Sequence, residues 1–248
     1  MFDIHVSTGH WPFRPIPGQS IPELYEYLRG FGISGAAVTN TNGLFYLNTQ
    51  AANLELAEAI KAYPEFFVAV ASLNPAYAAA ERDLEFCVEK LGFRALRLTP
   101  LYHQYALAEA SAVIRLAGEL AIPVIVPNEI VNFRQKHWME PSAPLGLEAV
   151  LGLCREFPGV NFIFTEGTAA PDGAYPPNLY FELSRFRSSY GGALTELIRN
   201  VGADHVLFGS GAPFKAAESS LLKLFHCDIT DEERRLTGGD AARALLYR

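Results

Sequence analysis

The sequence predicts a single (β/α)8 TIM barrel, in which eight parallel strands alternate with helices around one core. Short β-branched and apolar runs alternate with longer amphipathic runs from one end of the chain to the other. Several strand-like runs lack polar alternation, as expected for parallel strands that are covered on both faces. The length of 248 residues fits one large barrel, residues 1–248, better than two small domains.

The apolar runs place eight strands in order along the chain. They fall at residues 2–6, 33–39, 67–72, 93–99, 123–127, 160–165, 179–183 and 205–209. Helical periodicity places the intervening helices at residues 22–30, 51–63, 77–91, 107–120, 145–157, 193–201 and 216–225. A last helical stretch runs from about residue 231 to 246, with a break expected at Gly238-Gly239 and with Thr230 and Glu233 forming its capping box.

One crossover departs from the pattern. Residues 166–178 are too rich in glycine and proline to hold a helix, so the sixth crossover is predicted to be a bare loop. Two further segments, residues 10–20 and 128–144, are long enough to cover the mouth of the barrel. We find no domain boundary along the chain.

Composition excludes several kinds of partner. The net charge is −7 and Lys and Arg form no block, so nucleic acid and anionic membranes are not expected to bind. No apolar run approaches the ~18 residues that span a bilayer. Cys87, Cys154 and Cys227 are widely spaced, as is typical of reduced thiols in a cytoplasmic protein, and the N-terminus shows no signal segment. The sequence leaves open whether the chain forms a homodimer.

Both ends of the chain carry what look like metal-ligand motifs with the ligands replaced. Residues 3–7 have the form of a barrel-opening strand that ends in His-x-His, but Ser7 stands where the second histidine belongs. Residues 206–213 have the form of a closing strand that ends in Gly-Ser-Asp-x-Pro, but Gly211 replaces the aspartate. A hydroxyl is a poor metal ligand and glycine has no side chain, so both replacements remove a ligand.

Together with other segments, these motifs resemble the amidohydrolase superfamily. The resemblance is to the branch that includes the decarboxylases related to aminocarboxymuconate-semialdehyde decarboxylase. It covers nearly the whole chain and depends on the order and spacing of six segments. They are residues 3–7, 92–100, 123–126, 178–184, 206–213 and 239–246. The resemblance implies a TIM barrel and a metal-dependent hydrolase or decarboxylase ancestry.

The metal ligands that the resemblance implies are mostly replaced. The family places histidines on the first strand and at the ends of the fifth and sixth strands, and an aspartate at the end of the eighth. The corresponding positions here are His5 and Ser7, Pro127 or Asn128, Thr165 or Glu166, and Gly211. The family's aspartate also serves as the general base, so ordinary hydrolysis is expected to be lost.

His5 and Glu166 are the predicted catalytic residues and would be the two ligands of any metal. We expect no cofactor, because catalytic zinc needs three protein ligands. Zinc or manganese stays as an alternative that requires a third ligand from a loop histidine such as His10, His103 or His137. The alternative for His5 itself is a buried histidine hydrogen-bonded to backbone.

Polar residues are dense at the predicted strand ends and mouth loops, the face where barrel enzymes build their sites. The predicted ligand-binding residues are His10, Trp11, Arg14, Asn40, Arg97, His103, Asn128, Arg134, His137 and Ser210. Arginines and asparagines with aromatic neighbours suit a small anionic or hydroxylated molecule. The alternative is that these loops are polar only because they face water.

Two of these residues carry specific expectations. Arg97 lies near the end of the fourth strand, and an arginine that faces the interior needs an anion or several acceptors. Glu166 or a ligand carboxylate would serve. Trp11 and Phe13 either form a lid with an apolar wall or plug their loop against the barrel.

Three functions are compatible with this pattern. The first is an amidohydrolase-like enzyme that acts on a small carboxylated or cyclic molecule with an altered or absent metal. The second is a non-catalytic ligand-binding or regulatory pseudoenzyme. The third is a conventional metallohydrolase with rebuilt ligands. Sequence alone leaves enzymatic activity undecided among them.

Overall fold

The computed structural model describes residues 1–141, 143–186 and 192–247, and its centre is a sheet of eight parallel strands in sequential order. The strands are β1 (Asp3–Thr8), β2 (Ala36–Asn40), β3 (Phe67–Leu73), β4 (Ala95–Leu98), β5 (Val124–Pro127), β6 (Phe162–Thr165), β7 (Leu179–Glu182) and β8 (Val206–Leu207). The sheet closes where Ile4 N donates to Phe208 O at 3.0 Å and Ser7 N donates to Ala212 O at 2.8 Å. The predicted TIM barrel is therefore confirmed.

Helices follow most of the strands. They are α1 (Ile21–Gly30), α2 (Gln50–Ile60), α3 (Ala80–Glu89), α4 (Pro100–His103), α5 (Ser111–Glu119), α6 (Leu147–Glu156), α7 (Ala193–Val201), α8 (Ala217–His226), α9 (Asp231–Arg235) and α10 (Ala241–Leu246). The short α4 was not predicted, whereas the Thr230–Glu233 capping box is present. The break expected at Gly238-Gly239 separates α9 from α10. Gly239 fits there because a Cβ would lie 2.6 Å from the backbone nitrogen of Phe2.

The sixth crossover is a loop, as predicted. Residues 166–178, all of which are described, contain turns and no helix between β6 and β7. Tyr175 anchors this loop, since its hydroxyl donates to Ala170 O at 2.7 Å and its ring packs 4.8 Å from that of Phe181. Between β6 and β7 the barrel is therefore covered by a loop and not by a helix, and the chain takes a shorter path between these two strands.

The barrel has an inner core that is distinct from the layer between strands and helices. Its inward-facing members include Ile4, Ala37, Val70, Ala95, Ile125, Ile163, Tyr180 and Leu207. Side chains two positions apart on a strand point the same way. Polar residues two positions beyond these apolar ones therefore also face the interior, one layer closer to the carboxyl ends of the strands.

An irregularity in β1 allows His5 and Ser7 to point inward. Asp3 pairs with Ala36 but Val6 pairs with Val38, so β1 contains one extra residue between these pairs. Ile4 lies in the inner core, and beyond it His5 and Ser7 both contact interior polar groups. His5 and Ser7 therefore share an orientation toward the interior.

Asp3 ties the first strand to the segment after the last one. Its Oδ1 accepts from His5 N at 2.9 Å and from Ser210 N at 3.0 Å. Within the described residues its Oδ2 has no partner. Burial raises the pKa of Asp3 to about 6, although these hydrogen bonds favour the ionised form.

All three cysteines are free thiols, and Cys87 and Cys154 are buried. Among the described residues, none of the helices has the length and apolar character needed to cross a membrane.

The Asp3→Asn variant tests the burial of this carboxyl. The folded pKa of Asp3 lies above the unfolded value of 3.8, so the ionised carboxylate destabilises the folded state above pH 6. This destabilisation disappears as the pH falls and the carboxylate is protonated. The stability of the wild type relative to the variant should therefore rise by up to about 3 kcal/mol between pH 7 and pH 4. Urea unfolding at several pH values measures this difference, and a constant difference contradicts the assignment.

Candidate functional site

A cluster of buried charged side chains lies at the carboxyl ends of the strands. Its members come from separate elements: His5 from β1, Arg97 from β4, Glu182 from β7, Glu166 from the loop after β6 and Lys215 from the loop after β8. Parallel strands bring these distant positions together at one end of the barrel.

His5 faces two carboxylates. Its Nδ1 lies 3.5 Å from Glu166 Oε1 and 3.4 Å from Glu182 Oε2, and the residue is only 7% exposed. The backbone of His5 is also bonded, because its N–H donates to Asp3 and its carbonyl accepts from Gly211 N at 3.0 Å. The backbone thus holds the strand while the imidazole is directed at the acidic pair.

Glu166 is the centre of the cluster. Its Oε2 lies 2.6 Å from both Lys215 Nζ and Arg185 Nε. Burial by itself would raise the pKa of Glu166, but Lys215, His5 and Arg185 outweigh that effect and hold the pKa below its usual range. Glu166 has a φ of +56°, an uncommon conformation for a residue with a side chain, which these contacts hold in place.

Glu182 is held by the residues that follow it. Ser184 donates through its hydroxyl to Glu182 Oε2 at 2.8 Å, and through its backbone N–H to Oε1. Gly209 makes room for this carboxylate, since a Cβ there would lie 2.5 Å from Glu182 Cγ. Lys223 donates to Ser184 O, and burial together with the charge of Lys215 lowers the pKa of Lys223 to about 8.

The cluster extends into the loop after β5. Arg185 Nη2 lies 3.1 Å from Glu129 Oε1, and Lys136 Nζ lies 3.5 Å from Glu129 Oε2. Arg185 therefore bridges Glu166 and Glu129, which links two mouth loops electrostatically.

Arg97 is a buried guanidinium with few partners. It is 2% exposed, and its Nη1 donates to Thr39 Oγ1 at 2.6 Å. Its Nε has no partner among the described residues. Burial lowers the pKa of Arg97 to about 10, although the charge of Glu166 partly offsets this effect. A guanidinium has five N–H donors, so an anion at this position would satisfy groups that the protein leaves free.

Cations and carboxylates are equal in number in this region when Asp3 is counted as ionised. The described cations are Arg97, Lys136, Arg185, Lys215 and Lys223, and the described carboxylates are Asp3, Glu129, Glu140, Glu166 and Glu182. Among the described ion pairs neither Arg97 nor Lys223 has a carboxylate partner, which leaves positive charge available to a negatively charged ligand.

An aromatic cover lies over the mouth. Trp11 is 1% exposed, and its ring centroid lies 5.3 Å from that of Phe13, 5.6 Å from Phe45, 6.3 Å from Tyr102 and 4.9 Å from Phe214. These rings come from the loops after β1, β2, β4 and β8. Trp11 therefore joins four loops into one apolar layer, which combines the wall and the plug that the sequence left as alternatives.

A pocket of about 340 Å³ opens beside this cover. It lies between the first mouth loop, α1 and the loop after β8, and its walls include Pro17, Leu24, Tyr27, Phe214 and Lys215. The volume is in the range that holds a small organic molecule. Lys215 belongs both to this wall and to the charged cluster.

Several predicted ligand-binding residues instead hold loops. Asn40 bonds to Ala52 O and Glu55, and His103 has its two ring nitrogens near Gly43 O and Thr99 Oγ1. Asn128 accepts from Gly146 N, and Ser210 accepts from Ala212 N. Asn128 also donates through Nδ2 to the backbone carbonyl of Glu166 at 3.4 Å, so it supports the charged cluster from outside. No contact of Asn40, His103 or Ser210 with the five members of the cluster is found among the described residues.

The remaining predicted residues lie on the rim. His10 and Arg134 are exposed, and Arg134 stacks over Phe133. Arg14 donates to Gln135 Oε1 at 3.2 Å, and the ring of His137 stacks on Phe13 at 5.1 Å. Of the predicted set, His5, Arg97 and Glu166 converge, and Trp11 belongs to the cover.

The sequence analysis did not select Glu182, Ser184, Lys215 and Lys223. Glu182 could have been found, because it lies two positions beyond Tyr180 on a strand whose inward face is thereby defined. Lys215 carries no comparable signal, since it follows β8 in a loop whose path only the fold determines.

The described residues do not fit a divalent metal ion. No three His, Cys, Asp or Glu side chains of residues 1–141, 143–186 and 192–247 converge in a way that could hold one. Glu166 stands at one of the two positions where the resemblance places the sixth-strand metal ligand. Its Oε2 already binds the ammonium of Lys215 and the guanidinium of Arg185. A cation so placed repels a metal ion, so we derive no chemistry from a bound metal.

A closed parallel barrel with polar groups converging at the carboxyl ends of its strands defines a TIM-barrel protein with its site at the mouth. The amidohydrolase family profile matches residues 3–248, and the chain belongs to this family. The resemblance inferred from the sequence motifs is thereby confirmed. No curated protein sequence gives a significant match.

Several solved structures share the fold. A 2,6-dihydroxybenzoate decarboxylase in complex with 2,6-dihydroxybenzoate has 18% identity and a TM-score of 0.74, over 99% of this chain and 98% of that one. The 5-carboxyvanillate decarboxylase of Sphingomonas paucimobilis has 16% identity and a TM-score of 0.74, over 90% of this chain and 82% of that one. A dihydroxybenzoic acid decarboxylase of Polaromonas sp. JS666, with bound manganese and the inhibitor 2-nitroresorcinol, has 17% identity and a TM-score of 0.72, over 99% of this chain and 96% of that one. At these identities the likeness shows the fold alone.

The two tryptophans of the chain provide a test of the cover. Trp11→Ala should lower the free energy of unfolding by about 3–5 kcal/mol, because a large buried ring is lost. Trp138 is 85% exposed, so Trp138→Ala should change it by no more than about 0.5 kcal/mol. Chemical denaturation measures both, and equal effects of the two substitutions contradict the cover.

Proposed function

We propose that this protein binds a small carboxylated cyclic molecule at the barrel mouth and that it does so without a divalent metal ion. The observation that carries the proposal is Arg97, a buried guanidinium whose one hydrogen bond among the described residues is to Thr39. A carboxylate pairs with guanidinium in a bidentate manner and offsets the cost of its burial.

The surroundings of Arg97 support the same ligand class. Arg97 has no carboxylate partner among the described ion pairs, which favours an anion, and the aromatic cover supplies the apolar contacts that a ring requires. The solved structures of similar fold include decarboxylases of hydroxylated aromatic acids, one of them in complex with 2,6-dihydroxybenzoate. A hydroxybenzoate is therefore a suitable first probe.

Binding is tested by calorimetry on protein that has been treated with EDTA. The probes are benzoate, 2,6-dihydroxybenzoate and pyridine-2-carboxylate, with resorcinol as the matched compound that lacks the carboxyl group. At least one acid should bind in the absence of metal, and resorcinol should bind more weakly. Arg97→Met should weaken acid binding by about 30-fold or more, since the loss of a buried charged contact costs about 2–5 kcal/mol.

Arg94→Met is the control for this experiment. Arg94 precedes the same strand, is exposed and stacks over Tyr247, so its loss should leave acid binding unchanged. The proposal fails if the whole panel of acids does not bind, if binding requires added metal, or if the Arg94 and Arg97 variants behave alike.

A second candidate function is decarboxylation of the bound acid, and the position of His5 favours it. The imidazole is buried and faces two carboxylates, an arrangement that suits proton transfer. In such a reaction the bond to the carboxyl group breaks, its electron pair stays on the ring carbon, and His5 donates a proton to that carbon as CO2 leaves.

Release of CO2 from an acid that binds distinguishes an enzyme from a binding protein. His5→Asn should lower the rate by about 100-fold or more, because general acid–base catalysis contributes on that scale. His10→Asn, which changes an exposed histidine, should leave the rate unchanged. If the wild type releases no CO2 from any acid that it binds, this candidate is wrong and the non-catalytic alternative is favoured.

A further inference from the structure

Within the charged cluster, Lys215 is the residue whose side chain joins three separate loops. Its Nζ lies 2.6 Å from Glu166 Oε2 and donates to Ser184 Oγ at 2.6 Å. The ammonium thus lies between the loops that follow β6 and β7. It belongs to a third loop, after β8, so three strand ends meet at this one positive charge.

The backbone near Gly211 directs Lys215 into this position. Lys215 N donates to Gly211 O at 3.1 Å, so the loop folds back and the side chain crosses the glycine. A Cβ at Gly211 would lie 3.0 Å from Lys215 Cδ and 3.1 Å from Glu166 Oε1. Gly211 also has a φ of +71°, which favours glycine.

A side chain at position 211 and the lysine at position 215 therefore compete for the same space. Position 211 is where the family resemblance places an aspartate that binds a metal ion. Compared with the family pattern, Gly211 removes a carboxylate at this point and Lys215 adds a positive charge. Glu166 pairs directly with that charge, and Glu182 is linked to it through the Ser184 hydroxyl, which donates to Glu182 Oε2 and accepts from Lys215 Nζ.

We propose that Lys215 is a tethered cation that takes the place of a divalent metal ion in this barrel and that it holds one oxygen of the ligand carboxylate that Arg97 also binds. An ammonium has three N–H donors, of which Glu166 and Ser184 occupy two. The third donor is available to a ligand oxygen. The part of the proposal that concerns the ligand rests on the proposed function, whereas the replacement of a metal ion does not.

The pocket beside the cover supports this role. Lys215 is 21% exposed and forms part of its wall, so a molecule in the pocket is next to the charged cluster. Leu24, Tyr27 and Phe214 make the other walls largely apolar, which suits the ring of a cyclic acid whose carboxylate points to Lys215.

Binding of Mn²⁺ to the full chain, measured by electron paramagnetic resonance of the free ion, tests the replacement of the metal. The wild type should bind Mn²⁺ weakly, because the ammonium repels it. Lys215→Ala removes one of the two cations paired with Glu166, so its Mn²⁺ affinity should rise by about tenfold or more. Lys215→Gln keeps a donor for Ser184 but removes the charge, and should show the same gain if the alanine variant fails to fold.

Lys223→Gln is the matched control. Lys223 is also half-buried and donates to Ser184 O, but of these two lysines only Lys215 forms an ion pair with Glu166 among the described residues. Its substitution should raise the Mn²⁺ affinity less than the Lys215 variants do, because its charge acts on Glu166 from a greater distance.

Two results would overturn the proposal. One is stoichiometric Mn²⁺ binding by the wild type that is lost in Glu166→Gln. The other is folded Lys215 variants that bind Mn²⁺ no better than the Lys223 variant. Neither result depends on an organic acid, so failure of acid binding and failure of the metal replacement are distinguishable.

Discussion

The ion pair between Lys215 and Glu166 is the interaction on which the rest of the site depends. Glu166 is buried and has an unusual backbone conformation, and its negative charge would be unfavourable without a close cation. Lys215 supplies that cation, and Arg185 is a second cation in contact with the same oxygen of Glu166. His5 and Glu182 are then arranged around a charge that is already balanced. The ammonium of Lys215 occupies the cation position beside Glu166 once the chain has folded, so a metal ion would have to displace it.

Hydrogen bonds between the first strand and the segment after the last one close the barrel beside the charged cluster. The carboxylate of Asp3 accepts from His5 N and Ser210 N, and the carbonyl of His5 accepts from Gly211 N. This closure fixes the geometry of the barrel end whatever the chemistry there. The side chain of Lys215 fills the space beside Gly211, so a positive charge lies at this point of the mouth.

Most of the fold could be predicted because it depends on local patterns. All eight strands, the break before α10 and the missing helix after β6 follow from apolar periodicity and from glycine and proline content. The ends of elements were less exact, and α4 was missed because four residues carry too little periodicity. The structure brings His5, Arg97 and Glu166 together, and their catalytic and ligand-binding roles stay predictions, whereas the side chains of Asn40 and His103 make loop contacts.

The sequence by itself determined the barrel and the family, since both follow from the order and spacing of short segments. Only the tertiary structure decided which charged side chains meet at the mouth. Lys215 lies 49 positions from Glu166 in sequence, and their contact depends on how two loops fold over the closed barrel. The direction of a loop side chain depends on packing between elements, such as the space that Gly211 leaves for it, and no periodic pattern records that.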